Sequence, residues 1–305
     1  MPTPRQVTSR DGTRIATYTD GQPSAPTIVA IHGYPDNAAV WDAVVTELAP
    51  SYHLIRYDVR GTGASDKPAA RRAYLLDQLQ DDFIAVIDAL SPDRPVHVLA
   101  HDWGSVQAWH WVNDPRMSKR IVSYTSISGP CLEQIGPWLQ ASLRNQGYRK
   151  VLRQLLDSYY IAIFKLPWLP ELLWRSGLLD AALGRSEGRT HRPATGSYRR
   201  SWADKANGLQ LYRANLLTWR RSAGPRRRET EIPVQVLAPL SDPFVSAAVQ
   251  LEAPRPFVPN FHPRTVRGGH WVVTSRPAVI AQAVTELIEL VDSGRAGMQL
   301  ASHLD

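Results

Sequence analysis

The stretch Val96-His-Val-Leu-Ala-His-Asp-Trp-Gly-Ser105 decides the fold of this 305-residue chain. Its first half, Val96 to Ala100, is a short apolar run of the kind found in strands that are buried on both faces. A helical pattern follows, so Asp102 lies where a strand turns into a helix. Small residues stand two positions before it and two after it, Ala100 and Gly104. A sharp strand-turn-helix needs such neighbours, and the stretch therefore predicts an elbow that lifts a carboxylate above the sheet.

Strand and helix patterns alternate around this elbow. Arg5–Ser9 and Arg14–Thr19 flank an Asp-Gly turn and predict a β-hairpin. Further apolar runs predict strands at Thr27–Ile31, His53–Tyr57, Ile121–Thr125, Val234–Ala238 and around Thr265–Arg267. Amphipathic patterns predict helices at Ala38–Leu48, Tyr74–Leu90, Val106–Val112 and Ala278–Val291. This rhythm indicates an α/β fold with a mostly parallel sheet and helices on both faces.

The alternation stops near Gly129 and resumes at Val234. We expect a core formed by residues 1–130 and 231–305, and an inserted helical cap over residues 131–230 with helices at Tyr148–Phe164 and Leu209–Trp219. Ligands of such sheets bind beyond the carboxyl ends of the strands, where the insertion leaves and rejoins the core, so the cap should cover the active site. Its tryptophans predict a large apolar pocket, although some will pack the cap itself: Trp138, Trp168, Trp174, Trp202 and Trp219.

Two further strand ends carry side chains that match Asp102. Asp242 follows one late strand, and His270 follows the last predicted strand. In chain order these residues give nucleophile, acid and base. An imidazole held by Asp242 could take a proton from water that attacks an ester on Asp102. A single aspartate at a strand end is more often a helix cap, but three role-matched residues at three strand ends favour a catalytic triad.

Two loops border this constellation. His32-Gly33-Tyr34-Pro35-Asp36 follows a predicted strand, and backbone N–H groups from Tyr34 and Trp103 would form an oxyanion hole. A simple Gly-Pro turn is the alternative. The glycine-rich segment Asp58–Ser65 lacks both the dinucleotide-binding pattern and the P-loop lysine, so we interpret it as a structural loop.

These motifs resemble those of a known enzyme group. A carboxylate nucleophile suits the opening of a strained ring or the expulsion of a halide. Nearly the whole chain resembles capped α/β-hydrolases of the epoxide hydrolase and haloalkane dehalogenase group, through His32–Pro35, Asp58–Ser65, His101–Ser105, Asp242 and Gly269–Trp271. It is most similar to bacterial epoxide hydrolases, in particular to the hydrolase half of two-domain proteins that carry a short-chain dehydrogenase-reductase. That second half is absent from the sequence, so we expect no nicotinamide cofactor, and no metal.

The resemblance also implies roles in the cap and around the nucleophile. Epoxide hydrolases are expected to carry two cap tyrosines that bind and protonate the epoxide oxygen. Tyr160, followed by Phe164-Lys-Leu-Pro167, matches the first, and Tyr212 in Tyr212-Arg-Ala-Asn215 resembles the second. Other cap tyrosines are alternatives: Tyr148, Tyr159 and Tyr198. We also expect four residues to contact the substrate: His32, Pro35, His101 and Trp271.

The resulting hypothesis is a cofactor-independent hydrolase that converts a small apolar epoxide and water into a vicinal diol through an ester on Asp102. A haloalkane or haloacid dehalogenase with the same nucleophile is the first alternative, weakened because Tyr34 stands where dehalogenases often carry asparagine. The second alternative is a ligand-binding protein that keeps the fold without catalysis.

Charge is unevenly distributed along the chain. The net charge is +7, yet residues 131–230 alone carry 18 Lys and Arg against 7 Asp and Glu. This basic cap is interpreted as a solvated face or as a surface that attracts anionic lipid or an acidic partner; no nucleic-acid motif accompanies it.

A single cysteine, Cys131, and an N-terminus without an apolar segment predict a cytoplasmic protein. Charges and prolines interrupt Tyr159–Trp174, so no transmembrane helix is expected, and a homodimer is left open.

Overall fold

A computed structural model describes residues 3–187, 199–216, 228–294 and 300–304. Within these ranges nine strands form one sheet in the order β1-β2-β4-β3-β5-β6-β7-β8-β9. The strands are β1 Arg5–Thr8, β2 Arg14–Asp20, β3 Thr27–Ile31, β4 His53–Tyr57, β5 Val96–His101, β6 Ile121–Ile127, β7 Val234–Pro239, β8 Phe261–Val266 and β9 His303–Leu304. β2 pairs antiparallel with β1 and β4, and every other pairing is parallel. The predicted α/β class with a mostly parallel sheet is confirmed.

Helices cover both faces of this sheet. The core helices are α1 Asp42–Leu48, α2 Leu76–Leu90, α3 Trp103–Val112, α10 Ala247–Glu252, α11 Val272–Ser275 and α12 Pro277–Asp292. Along β3, Val29 and Ile31 pack into the cluster that contains α2 and α3, whereas Ile28 and Ala30 pack into the cluster that contains α1 and α12. Successive strand residues point to opposite faces, which explains why the central strands are apolar throughout.

Among the residues described between β6 and β7, six segments are helical: α4 Leu132–Arg144, α5 Tyr148–Asp157, α6 Tyr159–Lys165, α7 Leu169–Arg175, α8 Leu178–Glu187 and α9 Trp202–Asn215. We call them the cap helices. They follow the carboxyl end of β6 and therefore lie at the edge of the sheet where Asp102 emerges. That the chain divides into domains at residues 131 and 230 stays a prediction.

Several predicted boundaries differ from the structure. The prediction of a single helix over Tyr148–Phe164 is wrong, because the helix is interrupted at Ser158. There the N–H of Ile161 donates to the Ser158 carbonyl oxygen, which forms a tighter i to i+3 turn. Helix α9 begins at Trp202, well before the predicted start, because Ser201 and Asp204 form a capping box. The predicted end of this helix at Trp219, like the alternative Tyr198, lies outside the described residues.

In the part of the chain that the structure covers, no helix is both long and apolar enough to cross a bilayer.

Candidate active site

Asp102 occupies the turn between β5 and α3 in a backbone conformation that few side chains adopt. Its φ is 53° and its ψ is −123°, which costs roughly 1–3 kcal/mol and must be held by the surrounding structure. Two glycines allow the necessary close approach. A Cβ atom on Gly104 would lie 2.2 Å from the Ile31 carbonyl oxygen, and one on Gly33 would lie 2.3 Å from Asp102 Oδ1. The elbow therefore depends on glycine at both positions.

The loop after β3 brings a backbone donor to this carboxylate. The N–H of Tyr34 donates to Asp102 Oδ1 at 2.7 Å. The backbone nitrogen of Trp103, the first residue of α3, borders Gly33 on the same side as this oxygen. The peptide bond between Tyr34 and Pro35 is cis. Both nitrogens assigned to the oxyanion hole thus lie beside the Asp102 carboxylate.

His270 lies between Asp102 and Asp242. Its Nδ1 is 3.0 Å from Asp242 Oδ2, and its Nε2 is 3.4 Å from Asp102 Oδ2. All three side chains are buried. Backbone N–H groups of Phe244 and Val245 donate to Asp242 Oδ1 at 2.9 and 3.1 Å, which fixes the carboxylate that orients the imidazole. The three residues predicted from separate strand ends are therefore in contact.

The two carboxylates determine the protonation state of this histidine. Burial by itself lowers the pKa of His270, but the charge of Asp242 and the hydrogen bond and charge of Asp102 raise it to about 10. Burial likewise raises the pKa of Asp242, but the opposite charge of His270 outweighs it and the pKa is lowered. His270 is therefore an imidazolium at neutral pH. Loss of the Asp102 charge would remove one cause of the raised pKa.

Tyr160 and Tyr212 face Asp102 from the cap helices α6 and α9. Their rings are 6.1 Å apart at 80°. Burial and the charge of Asp102 raise the pKa of Tyr160, against a hydrogen bond from Tyr212. Burial, then the neighbouring Tyr160 and Asp102, raise the pKa of Tyr212 well above its usual value. Both phenols thus keep their protons at neutral pH and can donate them toward the carboxylate side.

Two cavities meet at this point. The first has a volume of about 250 Å³ and the second about 160 Å³, and both are lined mainly by apolar side chains. Four residues border both cavities: Asp102, Tyr160, Tyr212 and Phe244. A ligand can therefore extend in two directions from the carboxylate.

The cap tryptophans contribute less to the first cavity than the sequence suggested. Only Trp174 among the four described ones lines it. Trp138 donates to Glu252 at 2.9 Å, away from the cavity, and Trp168 and Trp202 are exposed. Trp219 lies outside the described residues.

Of the four residues predicted to contact substrate, Pro35 and Trp271 line the first cavity. His32 and His101 do not. His32 Nε2 accepts a hydrogen bond from the Val59 N–H at 2.9 Å, which joins two core loops. His101 Nε2 donates to the carbonyl oxygen of His270 at 2.8 Å, and its ring is fully buried. Both histidines hydrogen-bond backbone groups near the site and do not line the first cavity, so their positions do not favour the predicted substrate contact.

Sequence reasoning missed two contributors to the site. The Phe244 ring lies 5.0 Å from that of His270 and 5.3 Å from that of Tyr160; its position two residues after Asp242 could have suggested it. The Asp36 carboxylate accepts from Trp271 Nε1 at 2.9 Å and from Arg200 Nε at 2.8 Å. Arg200 comes from the chain before α9, and no local pattern signals that pairing.

Comparison with known proteins agrees with this architecture. Residues 26–277 match the family described as alpha/beta hydrolase fold. The probable oxidoreductase EphD of Mycobacterium tuberculosis is 37% identical over 303 residues, which cover 94% of this chain and 50% of that protein. The chain thus spans about half the length of this relative. Epoxide hydrolase A of the same organism is 25% identical over 336 residues, covering 94% of this chain and 97% of that protein.

Solved structures share the fold. An epoxide hydrolase variant from Bacillus megaterium, complexed with its naphthyloxy-propanediol product, aligns with a TM-score of 0.76 at 20% identity, covering 93% of this chain and 100% of that chain. An epoxide hydrolase from Vigna radiata aligns with a TM-score of 0.74 at 21% identity, covering 94% and 97%. The elbow, the sheet order and these matches together establish that the chain belongs to the alpha/beta hydrolase fold family, among relatives of the epoxide hydrolase group.

Proposed function

We propose that this hydrolase opens an apolar epoxide to a vicinal diol through a covalent ester on Asp102. One observation supports this reaction above others: two protonated phenols, Tyr160 and Tyr212, share both cavities with a carboxylate that is backed by His270. An epoxide needs a nucleophile at carbon and a proton donor at oxygen at the same time. Here the nucleophile, Asp102, lies on the core side of the cavity, and the proton donors, Tyr160 and Tyr212, lie on its cap side.

In the first step an Asp102 oxygen attacks an epoxide carbon. The C–O bond of the ring breaks, and the oxygen that leaves takes a proton from Tyr160 or Tyr212. The products are a hydroxyalkyl ester and a phenolate. Because the ester is neutral, the charge of Asp102 no longer raises the pKa of His270. The imidazolium then gives its proton to the phenolate through solvent and becomes a base.

In the second step neutral His270 takes a proton from water, and the resulting hydroxide attacks the ester carbonyl carbon. The N–H groups of Tyr34 and Trp103 stabilise the tetrahedral oxyanion. Collapse of this intermediate expels the diol oxygen, which takes the proton from His270. The carboxyl of Asp102 then returns its proton to His270, which restores the starting charges. The apolar cavities exclude competing water and select an apolar substrate.

Isotope labelling tests the covalent step. Single-turnover hydrolysis of styrene oxide in water enriched with heavy oxygen should place the label in Asp102, detected in the peptide that contains it. The first diol formed should be unlabelled, because both its oxygens come from the epoxide and the carboxylate. Label in the diol alone would contradict the ester mechanism.

The alternative functions give different results in simple assays. A dehalogenase releases halide from bromoalkanes and retains this activity when Tyr160 and Tyr212 are both changed to phenylalanine. A ligand-binding protein turns over no epoxide or ester in a broad panel, while a bound ligand still raises its melting temperature.

A further inference from the structure

Helix α5 presents an apolar stripe to solvent. Tyr148, Leu152, Leu155 and Leu156 follow one another at i, i+4, i+7 and i+8, the spacing of a single helix face. Such a stripe ordinarily packs against the core. Here the four side chains are 58–63% exposed. The adjoining side of the helix supplies the packing instead: Val151 is buried, and Gln154 Oε1 accepts a hydrogen bond from the core residue Ser246 at 2.8 Å.

Further exposed apolar side chains follow α5 along the chain. Trp168, just before α7, is 82% exposed and has a positive φ of 61°. Leu166 and Leu172 on either side are also exposed. Among the described residues, eleven of the fourteen exposed large hydrophobic side chains lie between Leu143 and Leu178. We call this segment of the cap the cap surface. Concentration of this kind marks an interaction site rather than ordinary surface.

Positive charge accompanies the cap surface. Residues 143–178 contain six Lys and Arg against two acidic residues. Both acidic side chains are already paired: Asp157 lies 3.6 Å from Arg153, and Glu171 lies 2.7 Å from Arg213. Lys150 pairs with Glu252 of the core at 2.5 Å, so the charge available to a ligand comes from the other basic side chains, among them Arg149. Arg149 is exposed beside the apolar stripe. Aromatic and leucine side chains surrounded by Lys and Arg are typical of helices that lie in an anionic membrane interface.

The cap surface also reaches the active-site cavities. Exposed Tyr159 borders the first cavity and exposed Leu155 borders the second. A bilayer seated on this surface would therefore lie next to both cavities.

We propose that the cap surface docks onto anionic lipid bilayers, with Leu152, Leu156 and Trp168 entering the interface and Arg149 contacting lipid phosphates. Net positive charge selects an anionic bilayer over a second copy of this basic cap, since two such surfaces repel each other. The inference goes beyond the proposed reaction and does not depend on it. Binding without turnover is the quantity that tests it.

Vesicle flotation with the full chain provides the test. The protein should float with vesicles of phosphatidylcholine that contain about 30% phosphatidylglycerol, and much less with phosphatidylcholine alone. Salt of about 0.5 M should weaken flotation, because it screens the phosphates. Absence of flotation on anionic vesicles at low salt would overturn the proposal, as would binding to soluble polyglutamate without binding to vesicles.

Matched variants separate docking from charge in general. Arg149→Glu should weaken partitioning into anionic vesicles at least about fivefold, because one basic side chain contributes about a factor of five. Lys119→Glu makes the same change in charge at the amino end of β6, away from the cap, and should alter partitioning less than about twofold. Equal loss in both variants would show that only net charge matters and would overturn the assigned surface.

A third variant tests the apolar contribution and the rival occupant. Leu152→Gln with Leu156→Gln removes two exposed side chains, and the variant should keep its melting temperature and lose flotation. Unchanged flotation would contradict the proposal. Light scattering tests whether a second copy of the chain occupies the surface instead. The surface would be assigned to a second copy if the wild type is a dimer that does not float with vesicles and the double change makes it monomeric.

Discussion

Asp204 in the cap helix α9 accepts a hydrogen bond from the backbone N–H of Gly63, in the loop after β4, at 2.7 Å. Its other oxygen accepts from Asn37 Nδ2 at 3.1 Å and from the Ser201 N–H at 2.7 Å. This fully buried carboxylate therefore joins the start of α9 to two core loops. Because Tyr212 lies on the same helix, the hydrogen bonds from Gly63 and Asn37 also hold the helix that carries this phenol against the core.

Asp204→Ala should lower the free energy of unfolding by about 3 kcal/mol, because it removes hydrogen bonds to a buried charge and leaves their donors unpaired. Urea denaturation measures the change. Ser201→Ala is the matched control: it removes the helix cap but leaves the core contacts, and should cost about 1 kcal/mol. Equal losses would mean that Asp204 acts only as part of the cap of α9.

His270→Gln should accumulate a covalent adduct whose mass equals that of the whole epoxide. Attack by Asp102 requires no proton removal from the nucleophile, whereas hydrolysis of the ester requires an activated water. Intact-protein mass spectrometry detects the adduct. Asp102→Asn should show none initially, so the two inactive variants give opposite results. An unmodified His270→Gln protein in excess epoxide would remove the support for Asp102 as nucleophile.

Tyr160→Phe and Tyr212→Phe should each lower kcat for epoxide hydrolysis about 100-fold, and the double change should abolish turnover, because a positioned acid contributes about 10²–10⁴. Steady-state diol formation gives the rates. Tyr148→Phe, an exposed tyrosine of the same cap outside both cavities, should retain the wild-type rate in vesicle-free buffer. Full activity in the double variant would favour a reaction without proton donation from the cap.

Stability should fall between neutral and alkaline pH because of His270. Its folded pKa, about 10, lies above its ordinary value. The stabilising contribution is thus complete below about 6.5 and is lost as the pH rises through the folded pKa. Urea denaturation at pH 7 and pH 10 should show a larger decrease for the wild type than for His270→Gln. At acid pH the lowered pKa of Asp242 acts in the opposite direction: its contribution is lost as the pH falls below the ordinary range.

Much of the site was predictable because each of its parts has a local signal. The apolar run before Asp102 and the small residues around it specify the elbow, and Asp242 and His270 each follow a strand whose pattern can be recognised. Parallel strands place their carboxyl ends at one edge, so these residues meet. The roles of Tyr160 and Tyr212 are implied by the resemblance to epoxide hydrolases and not by a local signal.

Other features depend on contacts that the sequence does not contain locally. The rings of His32 and His101 turn toward Val59 and His270 because their partners lie on other loops. The two-residue strand β9 forms only because β8 offers it an edge. By contrast, the start of α9 could have been predicted, since Ser201 and Asp204 have the spacing of a capping box.

Tyr34 connects the proposed nucleophile to the cap, because its backbone bonds Asp102 and its side chain bonds two cap residues. Its N–H binds Asp102, while its hydroxyl accepts from Trp174 Nε1 at 2.6 Å and donates to the Lys205 carbonyl at 2.9 Å. Swinging the cap open would break these bonds and disturb the carboxylate at the same moment. We therefore expect substrate and product to pass beside the exposed side chains that border the two cavities, Tyr159 and Leu155, while the cap helices stay in place on the core.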